Sequence, residues 1–325
     1  MNGIMTTTSV LSRHDLNDHY SARLGIKRMY HRVASGLYSI GVPDRQSPVF
    51  VTANYSLSFD AVRTSLKDMG AYILVLDTKG INVWCAAGKR TFSTDELVNR
   101  IELTGLKQVV DHRELVLPQL GAPGISAHEV RRRTGFKVEY GPVRASDIKE
   151  YMRTRKATEE MRSVRFPLKD RAVLIPVELK NYLLPIVAIP LILYLIGGWL
   201  PMFLAMAAAL GGIVLFPLLL PFLPTKDFSS KGLILGLLLS LPFVAYLLMD
   251  HGMTWTSVLS AVAYALALSA AVAYIALNFT GATPWTSRTG VKKEIFRYIP
   301  AMAFMFFGGI AIVVAINAAL YFGVV

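Results

Sequence analysis

The sequence predicts an α/β domain followed by an all-α membrane domain of five transmembrane helices. The first observation is the distribution of charge, because 44 of the 56 charged residues lie in residues 1–170 of the 325-residue chain. The second is a series of long uncharged apolar runs after residue 180, which raise the mean hydropathy to +0.44. The third is an alternation of strand and helix patterns from residue 47 onward. Together they exclude a single soluble globule and a chain embedded in the membrane throughout.

The charged half alternates short apolar runs with segments of helical spacing. Residues 71–76 (AYILVL) form a continuous apolar run, which is typical of a strand buried on both faces. Residues 59–69 carry apolar side chains at helical spacing, and Gly70 is the expected C-cap. Alternating strands and helices predict a parallel, doubly wound sheet. The predicted elements are strand 49–53, helix 59–69, strand 71–76, a helix from Ser93 to Gly105, strand 107–110, helix 128–134 and strand 136–140.

The apolar half contains uncharged runs long enough to cross a membrane. A span needs about 20 apolar residues, so the run 181–225 must hold two spans, with a hairpin at 197–201. No Asp, Glu, Lys or Arg lies inside the predicted spans, which argues against ion-coupled transport. The five expected helices are 181–197, 201–223, 232–249, 257–279 and 299–322.

Basic residues in alternate loops predict the orientation in the membrane, because cytoplasmic loops retain Lys and Arg. The N-terminal domain and both basic loops are therefore expected in the cytoplasm, with the C-terminus outside. The N-terminus has no apolar signal-peptide core, which agrees with this orientation. The basic loops carry Lys226 and Lys231 in one case, and Arg288, Lys292, Lys293 and Arg297 in the other.

These patterns divide the chain into four regions. They are an N-terminal extension (1–46), the α/β domain (47–152), a basic linker (153–180) and the transmembrane domain (181–325). The linker is interpreted as a solvated segment, and docking of its bases on anionic lipid headgroups is a possible additional role. The net charge of +12 suits an acidic protein partner or positive-inside anchoring equally. No aromatic–basic motif indicates nucleic-acid binding.

The candidate site is expected beyond the carboxyl ends of the strands, where doubly wound sheets bind ligands. Of the three loops expected there (53–56, 77–90 and 111–124), the second exceeds the usual length of roughly 2–6 residues. It contains Cys85, the only cysteine, so this chain alone cannot build a disulfide, a zinc cluster or an iron–sulfur cluster. Cys85 is the candidate active-site residue, and a small buried hydrophobe is the alternative.

Other cofactor motifs are missing from the sequence. No GxGxxG follows the first predicted strand, and residues 87–90 lack the upstream glycine and the Ser or Thr of a P-loop. His112 and His128 have no neighbours at zinc-ligand spacing. Dinucleotide, nucleotide and zinc chemistry are therefore not expected at this edge.

Residues 82–89 read N-V-W-C-A-A-G-K and match the signature N-(V/I)-W-C-A-(A/G)-G-K throughout. At these residues the chain resembles the HgcA family, the membrane-anchored corrinoid proteins of mercury methylation. That family is related to the large subunit of the corrinoid iron–sulfur protein. The resemblance includes the five-span tail and so covers nearly the whole chain; it departs at Arg90, where a smaller residue is expected. It continues at 22–26, Pro43, 51–55, 77–80 and 117–124.

The resemblance implies a Rossmann-like corrinoid-binding domain, in which a cap helix around residues 83–90 presents Cys85 as the lower axial ligand of cobalt. The implied activity is methyl transfer from a methyl-Co(III) corrinoid of the cobalamin type to inorganic Hg(II), giving methylmercury. Thiolate is a soft, strong donor, and donation trans to the methyl group favours its departure as a carbanion equivalent or as a radical. The implied corrinoid contacts are Thr52, Asn54, Asp77, Thr78, Asn82, Val83, Trp84, Cys85, Ala86, Ala87, Gly88, Lys89, Leu117, Pro118, Gln119, Leu120 and Gly121.

Simpler interpretations stand beside several of these roles. Trp84 could be a core residue, Lys89 a solvated surface charge, and Asp77 and Thr78 a helix cap or turn.

The resemblance also implies partners and a location. The partners are a ferredoxin-like electron donor of the HgcB type with two 4Fe–4S clusters, a methyltransferase that delivers methyl from methyl-tetrahydrofolate, and membrane lipid. The expected location is the prokaryotic inner membrane. Two alternatives stay open: a membrane-anchored corrinoid methyl carrier or sensor with a non-mercury acceptor, and a transporter with a regulatory α/β domain.

Overall fold

The structure is a computed structural model that describes residues 3–27, 30–283 and 288–323. The chain divides into two compact units, Met1–Arg165 and Phe166–Val325. The division falls inside the basic segment 153–180, where the sequence changes from charged to apolar.

A single sheet forms the centre of the first unit. Its strands lie in the order β1-β2-β4-β3-β5-β6, with the bounds β1 (Met5–Thr7), β2 (Gly36–Ile40), β3 (Val49–Ala53), β4 (Ala71–Leu76), β5 (Glu114–Leu117) and β6 (Lys137–Tyr140). Strands β3, β4 and β6 lie where the sequence predicts strands, and β3 and β4 are buried along their whole length. Strands β1 and β2 precede residue 47, so the sheet includes part of the segment that the sequence sets apart as an extension.

The sheet is mixed, and the prediction of a fully parallel sheet is wrong at one pair. Strand β2 runs antiparallel to β4, with Tyr38 opposite Ile73, whereas the other neighbouring strands are parallel. The cause is the short connection 41–48 between β2 and β3. A parallel connection needs a crossover of a dozen or more residues, so the chain reverses direction here instead.

Helices cover both faces of this sheet. Alternate residues of β4 point to opposite faces, and Ile73 joins the core beneath α2 and α7 while Leu74 joins the core beneath α3 to α6. The first unit is thus a three-layer α/β/α arrangement. Its helices are α1 (Arg13–Arg23), α2 (Ser56–Ser65), α3 (Val83–Gly88), α4 (Thr94–Leu103), α5 (Leu106–Val109), α6 (Ala127–Thr134), α7 (Ile148–Thr154) and α8 (Glu159–Arg162).

Two predicted elements differ from the structure. Residues 107–110 belong to a helical turn, α5, because Leu106 and Val110 are both buried at a spacing of four; the third central strand is the apolar run 114–117. Helix α2 begins and ends earlier than the predicted helix 59–69. Asp68, with φ +65, takes the left-handed position expected of Gly70. Gly70 is required for another reason, since a Cβ there would lie 2.7 Å from the carbonyl oxygen of Val42.

The second unit is helical. Its helices are α9 (Leu168–Ala172), α10 (Ile175–Asn181), α11 (Leu183–Gly197), α12 (Trp199–Leu210), α13 (Phe216–Leu219), α14 (Phe228–His251), α15 (Trp255–Leu277) and α16 (Arg288–Tyr321). A π-helical turn, Gly211–Leu215, joins α12 to α13. Helices α14 and α15 approach closely, because a Cβ on Gly236 would lie 2.5 Å from the Cα of Ser269.

The number of membrane spans equals the predicted five only if one bent helix pair counts as a single span. Among the residues described, four helical stretches are long and apolar enough to cross a membrane: Trp199–Leu219, Phe228–His251, Trp255–Gly281 and Thr289–Tyr321. A fifth crossing would need the pair Leu168–Asn181 and Leu183–Gly197, which is bent by 62°. Helix α11 alone has 15 residues. It is about 22 Å long, against a hydrocarbon core of about 30 Å.

Among the described residues, two buried charged side chains lie within these long helices, which extend beyond the predicted spans. Lys231 is buried in α14, where its ammonium group donates to the carbonyl oxygen of Leu220 (3.0 Å) and also to that of Leu223. Glu294 is buried in α16, and its carboxylate accepts from the backbone N–H of Ser229 at 2.5 Å. Both satisfy backbone groups at helix ends. Lys231 is therefore a buried helix residue, whereas the sequence predicts it in a basic loop. Residues 284–287, at the end of another uncharged run of the sequence, lie outside the described residues.

Candidate functional site

The short helix α3 carries the motif of residues 82–89. Asn82 precedes it with extended backbone, and its side-chain oxygen accepts a hydrogen bond from the backbone N–H of Cys85 at 2.9 Å. Asn is among the preferred N-cap residues, because its side chain satisfies a donor that the first turn leaves unpaired. Cys85 therefore lies in a capped first turn, directly after the loop that follows β4.

Helix α3 has one buried face and one open face. Ala86 and Ala87 are buried, whereas Trp84, Cys85 and Gly88 are exposed. The Cys85 thiol is free. The alternative of a small buried hydrophobe is thus not what the structure shows, and Trp84, 39 % exposed, is not a core residue.

The buried face of α3 packs against the 3-10 turn Gln119–Gly124. A Cβ on Gly124 would lie 2.0 Å from the carbonyl oxygen of Phe92 and 3.1 Å from the Cα of Ala87. A Cβ on Gly121 would lie 2.5 Å from the ring of Phe92. The two motifs that stand apart in sequence, 82–89 and 117–124, are therefore one structural unit. Glycine is needed in the motif 117–124 so that the motif 82–89 can pack closely against it.

A cavity of about 270 Å³ opens beside α3 at the carboxyl ends of the central strands. It brings together seven of the sequence-predicted contacts: Thr52, Asn82, Val83, Trp84, Leu117, Pro118 and Leu120. Sequence reasoning missed its other wall, which includes Pro142, Val143, Ala145 and Ile148. The signal was present, because residues 141–145 follow the predicted strand 136–140 and so lie at the same edge of the sheet.

Three other predicted contacts form a polar network that holds the loop leading to α3. The side-chain oxygen of Asn54 accepts from the backbone N–H of Thr78 (3.1 Å), its hydroxyl (2.8 Å) and the N–H of Gly80 (3.0 Å). The amide of Asn54 donates to Asp77 at 3.0 Å. Asn54 and Thr78 are buried and do not line the cavity. The structure thus places Asn54, Asp77 and Thr78 in a turn, in line with the simpler interpretation of Asp77 and Thr78.

The remaining predicted residues lie at the far end of α3 and beneath it. Lys89 is exposed at its C-cap. Gln119 accepts a hydrogen bond from Arg162 at 3.3 Å. Arg90 has φ +62, a backbone conformation that favours glycine, which is consistent with the smaller residue expected at this position. Lys79, in the loop that leads to α3, is also an exposed base.

Gly88 is the one site residue whose identity the chain itself does not explain. A Cβ at this position would meet nothing within 4 Å, and its φ is not positive. Glycine within a helix costs roughly 0.5–1 kcal/mol relative to alanine. Glycine at position 88 therefore leaves open space on the same helix face as Cys85 and lowers the stability of the helix. Such open space suits the close approach of a bulky planar group.

A second polar network lies behind the loop 53–56. Ser56 donates to Asp18 at 2.5 Å, and the ring of His31 bonds Asp18 and the carbonyl oxygen of Ile26, both at 2.6 Å. Burial lowers the pKa of His31, but the hydrogen bonds to Asp18 and Ile26 outweigh it and raise the pKa. Burial raises the pKa of Asp18, but the hydrogen bonds from Ser56 and His31 outweigh it and lower the pKa. Both partners of the His31 ring are acceptors, so the two hydrogen bonds require both ring nitrogens to donate, as in the protonated imidazole.

The first unit is similar to known proteins. Residues 27–152 match a family model described as CdhD, CO dehydrogenase/acetyl-CoA synthase delta subunit. This span contains β2 to β6, α3 and the cavity, whereas β1 and α1 precede it.

Curated relatives support the same relationship. The acetyl-CoA decarbonylase/synthase complex subunit gamma of Methanothermobacter thermautotrophicus is 36 % identical over 124 residues, which is 37 % of this chain and 26 % of the relative. The corrinoid/iron–sulfur protein large subunit of Moorella thermoacetica is 29 % identical over 129 residues, 39 % of this chain and 28 % of the relative. The α/β domain is thus related to the corrinoid/iron–sulfur protein large-subunit family. The chain spans about a quarter of the length of these relatives.

Proposed function

We propose that the first unit binds a cobalt corrinoid and that the chain transfers a methyl group from it to inorganic Hg(II), giving methylmercury. The observation that carries the proposal is the free, exposed thiol of Cys85 on a capped helix beside an apolar cavity. The relationship to a corrinoid protein family supports the cofactor. The resemblance of residues 82–89 to the mercury-methylation signature supports the acceptor.

The residues present fit such a cofactor. A thiolate sulfur is a soft ligand of the kind that late transition metals accept. Gly88, one turn along the open face of α3, leaves the space beside the sulfur unfilled. The cavity offers mostly apolar walls, with polar groups from Thr52 and Asn82.

Each part of the site has a distinct task in this proposal. Cys85 would supply the thiolate that holds the cobalt. Asn82 fixes the first turn of α3, and the buried Ala86 and Ala87 hold the helix on the turn 119–124. Asn54, Asp77 and Thr78 act through the loop they brace rather than by contact. A bound corrinoid would supply a methyl group that, transferred with its bonding electron pair to Hg²⁺, gives CH₃Hg⁺.

Partners and location follow from the same proposal. The protein is anchored in the inner membrane by its apolar helices, with the first unit in the cytoplasm. Because this sequence holds one cysteine, electrons for the cobalt must come from a separate protein, proposed as a ferredoxin-like donor with two 4Fe–4S clusters. A methyltransferase using methyl-tetrahydrofolate would deliver the methyl group. The exposed bases Lys79, Lys89 and Arg90 suit acidic partners.

A second candidate is a corrinoid methyl carrier with a different acceptor. The names of the curated relatives favour it, since they refer to acetyl-CoA decarbonylase/synthase and to a corrinoid/iron–sulfur protein. The residues around Cys85 would have the same tasks in that case, and the identity of the acceptor separates the two.

The test measures methyl transfer from corrinoid-loaded, methylated full-length protein to Hg(II) and, separately, to a free thiol. We expect rapid methylmercury formation, no comparable thiol methylation, and loss of the activity in Cys85→Ala. Cys85→Ser is the matched control for size, and it should fail as well because a hydroxyl is not a soft donor. Wild-type methylmercury formation by either variant would refute the role of Cys85. Faster transfer to the thiol than to Hg(II) would favour the second candidate.

A further inference from the structure

Helix α1 turns its acidic residues toward the protein. Arg63 of α2 donates to Asp15 at 2.8 Å, and His31 bonds Asp18 at 2.6 Å. His19 lies 2.6 Å from Asp60 of α2, so the first two turns of α1 are tied to the domain by ion pairs or charged hydrogen bonds. No residue of α1 is fully buried. The helix is therefore held by charge, where an ordinary surface helix would bury an apolar stripe.

The opposite side of α1 is apolar and basic. Leu16 is 43 % exposed and Tyr20 is 68 % exposed, and the C-cap residue Leu24 is also exposed. At about 100° per residue, these three share an arc of about 100° with Arg13 and Arg23. Asp15 and Asp18 lie on the other side of the helix. The outer face of α1 is defined here as Arg13, Leu16, Tyr20, Arg23 and Leu24.

The charge on this surface has one sign. Residues 1–43 contain two acidic side chains, Asp15 and Asp18, and both are engaged on the inner side. Arg13, Arg23 and Lys27 are exposed and form no ion pair within the described part of the chain. Turning the acids inward thus leaves an outer face of bases, leucines and a tyrosine.

We propose that the outer face of α1 docks on the anionic lipid headgroups of the membrane in which the chain is anchored. Leucine and tyrosine side chains partition into the headgroup region, and arginines pair with lipid phosphates. The face combines exposed leucine, tyrosine and arginine side chains along one side of a helix, which suits a lipid interface. The chain already carries helices able to span a membrane, so such a surface is close by. This inference is independent of the corrinoid.

The experiment places a fluorescent label on full-length protein in lipid nanodiscs. With Cys85→Ser as background, one variant is labelled through Tyr20→Cys, and the matched control through Glu102→Cys, an exposed position on α4. The discs contain phosphatidylcholine with or without phosphatidylglycerol, together with a lipid that bears a nitroxide quencher near its headgroup. Quenching reports contact between the label and the lipid.

We expect strong quenching at position 20 in discs with phosphatidylglycerol and weak quenching at 102. Combining Arg13→Glu with Arg23→Glu should reduce the quenching at 20, since each base contributes roughly fivefold to affinity for an anionic surface. Unchanged circular dichroism would show that these variants fold. Equal quenching at both positions, or none at 20, would overturn the proposal. So would cross-linking of position 20 to a second copy or to an acidic protein in place of lipid quenching.

Discussion

The side-chain oxygen of Asn82 lies 2.9 Å from the backbone nitrogen of Cys85 and accepts its hydrogen bond. This bond fixes the first turn of α3, and so it fixes the point at which the thiol leaves the protein surface. The position of the Cys85 thiol therefore depends on the hydrogen bond from Cys85 to Asn82.

Asn82→Ala should destabilise the first turn of α3. Loss of an N-cap costs about 1 kcal/mol of helix stability, which is a large fraction for a helix of 6 residues. We expect faster hydrogen exchange across residues 83–89 and weaker corrinoid binding. Asn82→Ser, which retains a capping oxygen, is the control and should behave nearly like the wild type. Equal exchange in the alanine and serine variants would contradict the assigned role of the cap.

Two glycines near Cys85 should respond in opposite ways to alanine. Gly88→Ala meets open space and should raise the free energy of unfolding slightly, by about 0.5 kcal/mol, while it weakens corrinoid binding by crowding the sulfur. Gly124→Ala places a Cβ 2.0 Å from the carbonyl oxygen of Phe92 and should destabilise the domain itself. Thermal unfolding and corrinoid titration of both variants distinguish these effects. Unaltered corrinoid affinity in Gly88→Ala would contradict the proposal that the corrinoid lies against the exposed face of α3.

Asn54 should prove structural rather than a direct contact. Asn54→Ala removes the acceptor of three hydrogen bonds from Thr78 and Gly80 and should cost on the order of 3 kcal/mol. Hydrogen exchange should rise in residues 77–81, and corrinoid binding should weaken only as far as the loop is disordered. Ser58→Ala, at a cavity wall outside this network, is the control and should leave exchange at 77–81 unchanged. Full protection of that loop in Asn54→Ala would show that other contacts hold it.

The attachment of α1 should depend on pH. The pKa of His31 is raised in the fold, so its ion pair with Asp18 is fully present below the ordinary histidine pKa and is lost as the pH rises through the raised value. The pKa of Asp18 is lowered, so the pair is also lost as the pH falls through that lower value. We expect hydrogen exchange of residues 13–23, corrected for intrinsic rates, to rise on the alkaline side. His31→Gln should abolish this pH dependence. His14 is exposed, and His14→Gln is the control that should retain the dependence. A pH dependence that survives in His31→Gln would exclude His31 as its source.

Much of the first unit follows from its sequence because the signals are local. The continuous apolar run 71–76 and the β-branched run 49–53 are both strands, and the segment after the former does carry Cys85, in helix α3 rather than in an irregular loop. The reversed strand β2 could not be inferred, since it depends on pairing with β4, which is distant in sequence. The prediction of a strand at 107–110 was wrong because a run of four mixed apolar and polar residues fits either a strand or one turn of helix.

The site was predictable in its centre and less so at its edges. The motif 82–89 located the helix and its cysteine, but nothing in the sequence distinguishes Thr52, which lines the cavity, from Asn54, which braces a loop. Alternation along β3 would place both side chains on the same face, and they differ because β3 ends at Ala53, so that Asn54 belongs to the turn beyond it. In the apolar unit, composition indicated membrane helices, but it could not show that α10 and α11 meet at a bend of 62°.

The most direct test of the central claim is the ultraviolet–visible spectrum of the full-length protein after corrinoid loading, compared with that of Cys85→Ala. We predict a thiolate–cobalt(III) charge-transfer band in the wild type that is missing from the variant, although the variant still folds by circular dichroism. Identical spectra in the two proteins, or no corrinoid retained by the wild type, would contradict the assignment of Cys85 as the cobalt ligand.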